Sequence, residues 1–422
     1  MTTVASLRSS ANLERGDGRL PIVGGALFLL LFSGPPRFRE RDALASLRGD
    51  IDAVVILHVL VWVVAGLWVF YQMRFNFQEK HESMGLRLPQ KLGIGLVAVL
   101  GLSIFVSDAP ALTGFMVYQM FISLMFTTIF VERYGVESFL RQLFQASAIL
   151  CVAIAVACFA FPDLVIVTTE TGALRLRGDY IASTEVVALF TLVLLIAKVP
   201  KMSKPLYLLF FILSCTLIVV SLSRTVYLIL FAMALLALLK QGSPKSFRRF
   251  AYVFGIALAL LVGFGMVSNL KQYRDPESIL TLSDRLGLWA YLSNVTLEKS
   301  PWLGLGYYAA SRVYAPQYNS ELGTAHSMFV ETFLGGGLVA LTILFILCIA
   351  MSAYAIRAFR QGAPCSFELA VLFLATLMYG FIGASIESGA LGITFWSLAA
   401  ILPTMQNRGF NVSQSALAPP SW

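Results

Sequence analysis

The sequence predicts an all-α polytopic membrane protein, and three observations lead there. Apolar residues make up 58% of the 422-residue chain, charged residues only 13%, and mean hydropathy is +0.78. A soluble domain carries about 25% charged and 45–50% apolar residues, so a soluble fold would leave far too much apolar surface in water. The apolar stretches are long and unbroken, as from Leu206 to Val220, which suits a helix and not an alternating barrel strand. Lipid offers no partners to backbone polar groups, so each crossing must satisfy its own, as a helix does.

About twelve spans are expected, at 20–34, 51–73, 92–107, 111–131, 144–167, 181–198, 205–221, 225–239, 250–268, 327–349, 367–386 and 389–405. The first is short and follows Arg15 and Arg19. Pro35-Pro36 and several arginines come next with no small-residue cleavage site, so it reads as a signal anchor. The net charge of +8 is spread over short loops, a topology signal and not a nucleic-acid footprint. With both termini inside, most Lys and Arg fall on inside segments, including Lys198, Lys201, Lys204, Lys240, Lys245, Arg248 and Arg249. Arg37, Arg39, Arg41 and Arg48 go against this assignment, partly offset by Glu40, Asp42 and Asp50. The five cysteines lack metal-ligand spacing, and neither a disulfide nor a metal site is expected.

This orientation puts the unusual segments on the outside: the long loop 269–326, the loop 168–180 with Arg175 and Arg177, and the tip carrying Arg224. Ser221-Leu222-Ser223-Arg224-Thr225 interrupts about 35 otherwise apolar residues, a length of about 50 Å if one helix, too long for a core of about 30 Å. The chain should turn there. Arg224 then either snorkels to the interface or serves as an anion ligand.

In the long loop, Leu282, Leu286, Trp289 and Leu292 recur at helical spacing, with Ser283 as a cap and Asp284 in the first turn. A helix lying on the membrane surface is expected there. Its Arg285 is either a solvated charge or a ligand. Pro301-Trp302-Leu303-Gly304-Leu305-Gly306 suggests a tight turn with close backbone approach. His326 stands where the loop enters the tenth span, and an imidazole there suits a general base, or else is structural. Glu331 lies five residues on, not quite on the same face, a weaker candidate for orienting the ring. Glu185, in the sixth span, is an intramembrane acid, functional or simply an arginine's partner.

Taken together, these pieces resemble the O-antigen ligase and polymerase family of bacterial membrane glycosyltransferases. The resemblance rests on an ordered set: Ser221 to Arg224, Asp284-Arg285 with Trp289, Pro301 to Gly306, Ala325-His326-Ser327, then Glu331 and Gly335 to Gly337. It is most specific across about 165–345. Ser327 departs from the asparagine many members carry. The resemblance implies a lipid-sugar-dependent (GT-C-like) bundle with an extended outer loop, divided as N-terminal helices 1–164, a ligase-like core 165–345 holding loop 269–326, and C-terminal helices 346–422. It implies transfer of a glycan from a polyprenyl-diphosphate carrier to a sugar hydroxyl, on a free or lipid-anchored glycan, without metal or other cofactor.

In that reading Arg224 and Arg285 bind the diphosphate, because a guanidinium offers a permanent charge in a planar fork. Arg177 is a third cation, Glu185, Trp289 and Glu331 line the substrate, and His326 takes the proton from the attacking hydroxyl. The expected setting is the bacterial inner membrane with the site facing the periplasm, in exopolysaccharide or lipopolysaccharide assembly, with polysaccharide export machinery a candidate partner and nucleic acid excluded. Polymerisation is slightly favoured over ligation, because no acceptor-binding module is recognisable. Two other classes compete. A polysaccharide-lipid transporter would show paired halves and midplane breaks; a non-catalytic envelope scaffold would not need His326.

Overall fold

The computed structural model describes residues 22–34, 52–76, 86–168, 174–176, 182–197, 199–200, 202–221, 223–239, 285–319, 322–363, 365–382, 386–387 and 389–406. Its longer helices are α1 (Ile22–Ser33), α2 (Ala53–Asn76), α3 (Leu88–Leu102), α4 (Pro110–Ala160), α5 (Thr184–Ile196), α6 (Lys204–Ser221), α7 (Arg224–Leu239), α8 (Arg285–Lys299), α9 (Ala309–Tyr318), α10 (Met328–Arg360), α11 (Ser366–Ile382) and α12 (Gly389–Ile401). One element departs from the all-helical expectation. An antiparallel ribbon pairs β1 (Ile166–Thr168), which takes up the end of the span expected at 144–167, with β2 (Leu174–Leu176) in the loop expected at 168–180.

Among the described residues, five helices are long and apolar enough to cross a membrane: α2, α3, α4, α6 and α10. Shorter apolar helices, α1, α5, α11 and α12, pack among them. The chain is a multi-pass membrane protein. α2 turns Ile56, Leu57, Leu60, Leu67 and Phe70 outward, a lipid-facing surface that water would not tolerate. The segment expected to cross at 250–268 lies outside the described residues.

At 51 residues, α4 would run about 75 Å, far beyond one crossing. It is two arms divided at Gly135, whose φ of 79° breaks the helix. The sequence places separate spans at 111–131 and 144–167. Instead residues 136–143 are helical, with Arg141 paired to Glu137 one turn back at 2.7 Å. Helices run past the hydrocarbon where their charged residues reach the interface, so hydropathy alone underestimates their length.

The core is aromatic. Phe28 and Phe32 of α1 are fully buried, and Phe28 meets Phe126, Phe130 and Phe139 of α4 at ring distances of 5.5–6.5 Å. Trp396 of α12 is buried against Gly93 of α3, where no larger residue fits, and its indole donates to the Ile386 carbonyl at 2.9 Å. α10 lies along α3, α5 along α6, and α12 against α4.

α10 is itself broken at Gly337 (φ 66°, ψ −163°). An unbroken helix would bond the Leu338 and Val339 N–H groups to the Leu334 and Gly335 carbonyls. Here all four groups find partners on the loop before α9. Leu305 N–H donates to Leu334 O (2.8 Å), Gly306 N–H to Gly335 O (3.2 Å), Leu338 N–H to Pro301 O (2.8 Å) and Val339 N–H to Trp302 O (3.5 Å). The Pro-Trp-Leu-Gly-Leu-Gly segment is thus inserted into the helix. Its glycines are required by contact: a Cβ on Gly304 would overlap the Gly336 nitrogen, and one on Gly337 would overlap the Trp302 carbonyl.

Gly304→Ala and Gly337→Ala should each destabilise the protein by at least about 2 kcal/mol, since both carry positive φ and meet backbone. Gly95→Ala, with open space at its Cβ, should be neutral or slightly stabilising. Thermal denaturation in detergent measures this, and an unchanged Tm for Gly304→Ala would rule out the insertion as a source of stability.

Candidate functional site

The inserted loop leads directly to a buried polar cluster. Its backbone is anchored by Tyr307 N–H donating to Ser103 Oγ (3.2 Å), at the end of α3. The Tyr307 side chain is fully buried and donates to Glu387 Oε2 at 3.0 Å. Glu387 lies between α11 and α12, and its carbonyl accepts from Ser123 Oγ (3.1 Å), about 20 Å along α4 from Pro110. The turn before α12 therefore sits deep in the bundle. Burial, and then the charges of Glu387 and Glu331, hold the Tyr307 phenol well above its ordinary pKa, so it remains a donor.

Tyr308 comes next with a φ of 65°, a strained conformation for a non-glycine residue, and starts α9. From α9, Ser311 Oγ donates to Glu331 Oε1 at 2.7 Å. The other oxygen of Glu331 accepts the Ala325 N–H at 3.3 Å. On the opposite side of that residue, Trp289 Nε1 donates to the Ala325 carbonyl at 2.8 Å. Ala325 is thus held at both backbone groups, and His326 comes after it with a φ of 51°. Such a conformation persists only where the surroundings over-determine it. Two residues expected at the substrate, Trp289 and Glu331, therefore act on the backbone that presents His326.

His326 is half-buried at the head of α10. Arg285 is the first residue of α8, one turn before Trp289, and burial pulls its guanidinium below the ordinary value. Ser283 and Asp284, expected to start this helix, lie outside the described residues. Trp289 meets Phe381 of α11 edge-on at 5.8 Å, and Phe381 in turn meets Phe329 of α10 at 6.0 Å. Two residues back on α11, Tyr379 sits beside Ser223 and Glu185. Ser223 precedes Arg224, which opens α7, and Glu185 lies in the first turn of α5. The end of α11 is the shared neighbour that gathers Glu185, the Arg224 turn, Trp289 and the head of α10. Arg177 lies outside the described residues.

Sequence reasoning passed over Tyr307, Tyr308, Arg312 and Glu387. Arg312 stacks over the Tyr308 ring at 4.8 Å and donates to its hydroxyl. A signal was present for Glu387 alone, an acid between two closely spaced apolar runs, the pattern that singled out Glu185. His58, by contrast, is held within the bundle by Gln119 at 2.8 Å, between Trp62 and Phe115.

Tyr307→Phe leaves a buried carboxylate short of one donor and should cost about 1–3 kcal/mol. The check is the Tm of the purified variant; a value equal to that of the parent protein would remove the bond from any structural role.

Residues 209–346 match the family model described as O-antigen ligase. No curated protein and no solved structure matches the chain. The matched segment runs from within α6, through α7, α8, the inserted loop and α9, to the second arm of α10, and includes Arg224, Arg285, Trp289, Gly304, His326 and Glu331. Residues 209–346 are thus similar to the O-antigen ligase family, over the segment that carries the residues gathered at the head of α10.

Proposed function

We propose that this protein is a glycosyltransferase of the bacterial inner membrane whose periplasmic face moves a glycan from a polyprenyl-diphosphate carrier onto a sugar hydroxyl. The observation that carries this reading is the clamp on Ala325, which fixes His326 in a strained conformation using residues of the family segment. Strained backbone that its surroundings over-determine clusters at active sites and ligand clamps.

In this reading the hydroxyl of the acceptor sugar attacks the anomeric carbon of the donor. His326 removes the hydroxyl proton, the new glycosidic bond forms, and the bond from the anomeric carbon to the diphosphate oxygen breaks. The carrier diphosphate leaves with the electron pair. Arg285 and Arg224 stabilise the charge that collects on it, and Arg177 is a further cation for it. A guanidinium already half stripped of water, as Arg285 is, attracts an anion more strongly than one in bulk solvent. Glu185, within electrostatic reach of Tyr379 at the same end of the bundle, is the acid assigned to the sugar hydroxyls. The acceptor is a second carrier-linked repeat in a polymerase or a finished lipid-anchored core in a ligase. Polymerisation within exopolysaccharide or O-antigen assembly is the preferred reaction. About twelve crossings, both termini in the cytoplasm, and a position beside export machinery complete the proposal.

Arg224→Ala, Arg285→Ala and His326→Ala should each reduce glycan transfer by at least about 10²-fold while leaving membrane abundance unchanged. Lysine at either arginine should recover little, because an ammonium lacks the bidentate fork. Transfer retained by His326→Ala would remove it as the base. A deletion strain distinguishes the reactions: carrier bearing a single repeat accumulates if the protein polymerises, and carrier bearing full-length chains accumulates if it ligates.

A further inference from the structure

The loop inserted into α10 binds by its backbone and leaves apolar side chains uncovered. The carbonyls of Pro301 and Trp302 accept from α10, yet the Trp302 side chain is 65% exposed, and Leu303 after it is exposed as well. Val339, whose N–H donates to Trp302, is also exposed. The end of α3 adds Leu102 and, in the 3-10 turn Ser103–Val106, Phe105 at 87% exposure. That turn is tied to the same loop: Ser103 Oγ accepts from Tyr307 N–H, and Gly306 packs against Ser107 just beyond it. Three segments far apart in sequence thus meet at one loop and leave large apolar groups open there, a pattern that marks an interaction surface.

Helix lengths give the level of this surface. The 19 apolar residues Leu88–Val106 rise about 28 Å, close to a hydrocarbon core of about 30 Å. They start beside Arg87 and include Lys91 in the first turn, so Phe105 stands one crossing away from a basic end. The second arm of α10, 338–360, rises about 34 Å and ends on Arg357 and Arg360. Val339 is therefore one crossing away from a basic end too, and α10 lies along α3. Two helices place the loop at the same edge of the membrane. The surface is also continuous with the lipid-facing side of the crossing: exposed Ile346 and Ile349 follow Val339 down the same arm. An indole, with an apolar body and one N–H, suits the boundary where one side is apolar and the other wet. We infer that the inserted loop is a membrane-surface anchor, with Trp302, Leu303 and Phe105 seated among bilayer lipids at the boundary between headgroups and acyl chains. The second arm of α10 completes a crossing by itself, so the first arm is not needed to span. The anchor then sets the height of that arm, with His326 at its head, relative to the lipid. The inference does not depend on the chemistry assigned to His326.

The test reconstitutes the full chain in phosphatidylcholine vesicles containing a phospholipid brominated either just below the headgroup or near the methyl ends of its acyl chains. Bromine quenches tryptophan emission on contact. The chain has six tryptophans, so the Trp302 signal is read as the difference between the parent protein and Trp302→Phe. That difference should be lost with the shallow bromines and largely kept with the deep ones, and iodide on both sides of the membrane should remove less of it than the shallow bromines do. Greater loss with the deep bromines overturns the level assigned to the loop. Loss to iodide alone puts the loop in water, and a signal that no quencher reaches means that protein, such as a second copy of the chain, covers it. Either result overturns the anchor. If Trp302→Phe fails to accumulate, Phe105→Trp decides in its place: its added emission should be lost to the shallow bromines, and any other pattern overturns the inference.

Discussion

The arrangement depends on one constraint: a helix broken inside an apolar bundle must give its freed backbone groups other partners. At Gly337 four such groups are released, and the segment from Pro301 to Gly306 takes up all four. In lipid or a dry protein interior, each left unsatisfied would cost several kcal/mol. The insertion is therefore obligatory once α10 bends, and the bend is obligatory once the loop is inserted. The residues immediately C-terminal to the loop inherit its placement. Tyr307 enters the bundle, Tyr308 turns the chain, and α9 starts where Ser311 meets Glu331, one turn into α10.

A chain of satisfied polar groups then runs from the insertion to the histidine. Ser311, Glu331, Ala325 and Trp289 form consecutive bonds of 2.7, 3.3 and 2.8 Å. Each side chain acts on backbone or on another buried polar group, and none is expendable in a low dielectric, where a half-satisfied network is worse than none. The same economy explains Tyr307 and Glu387. A carboxylate between two helices deep in the bundle needs donors, and a fully buried phenol whose proton is hard to remove supplies one.

The segment matched to the O-antigen ligase family does not build this region by itself. Its inserted loop rests on Ser103, and Gly306 packs against Ser107 and Thr113, all contributed by α3, α4 and the turn between them. Glu387 comes from beyond the matched residues, and Ser123, which holds it, from before them. The N-terminal and C-terminal helices thus serve as more than a lipid-facing scaffold: they supply the floor against which the loop closes. A cluster assembled from four regions of the chain is sensitive to the packing of each.

The sequence by itself determined the fold class, the turn before Arg224, the helix carrying Trp289 and the entry of His326 into α10, because these are written in local hydropathy, length and turn chemistry. Glycine spacing also announced a close backbone approach, though not its partner. Only the tertiary structure decided that the partner is the glycine break 33 residues later, that Glu331 and Trp289 hold Ala325 and not the substrate face alone, and that residues 136–143 are helical. It alone joined Tyr307 and Glu387, 80 residues apart. Local pattern records what a residue does to its own helix. A buried charge takes its meaning from the groups brought around it, and those are known only once the chain has packed.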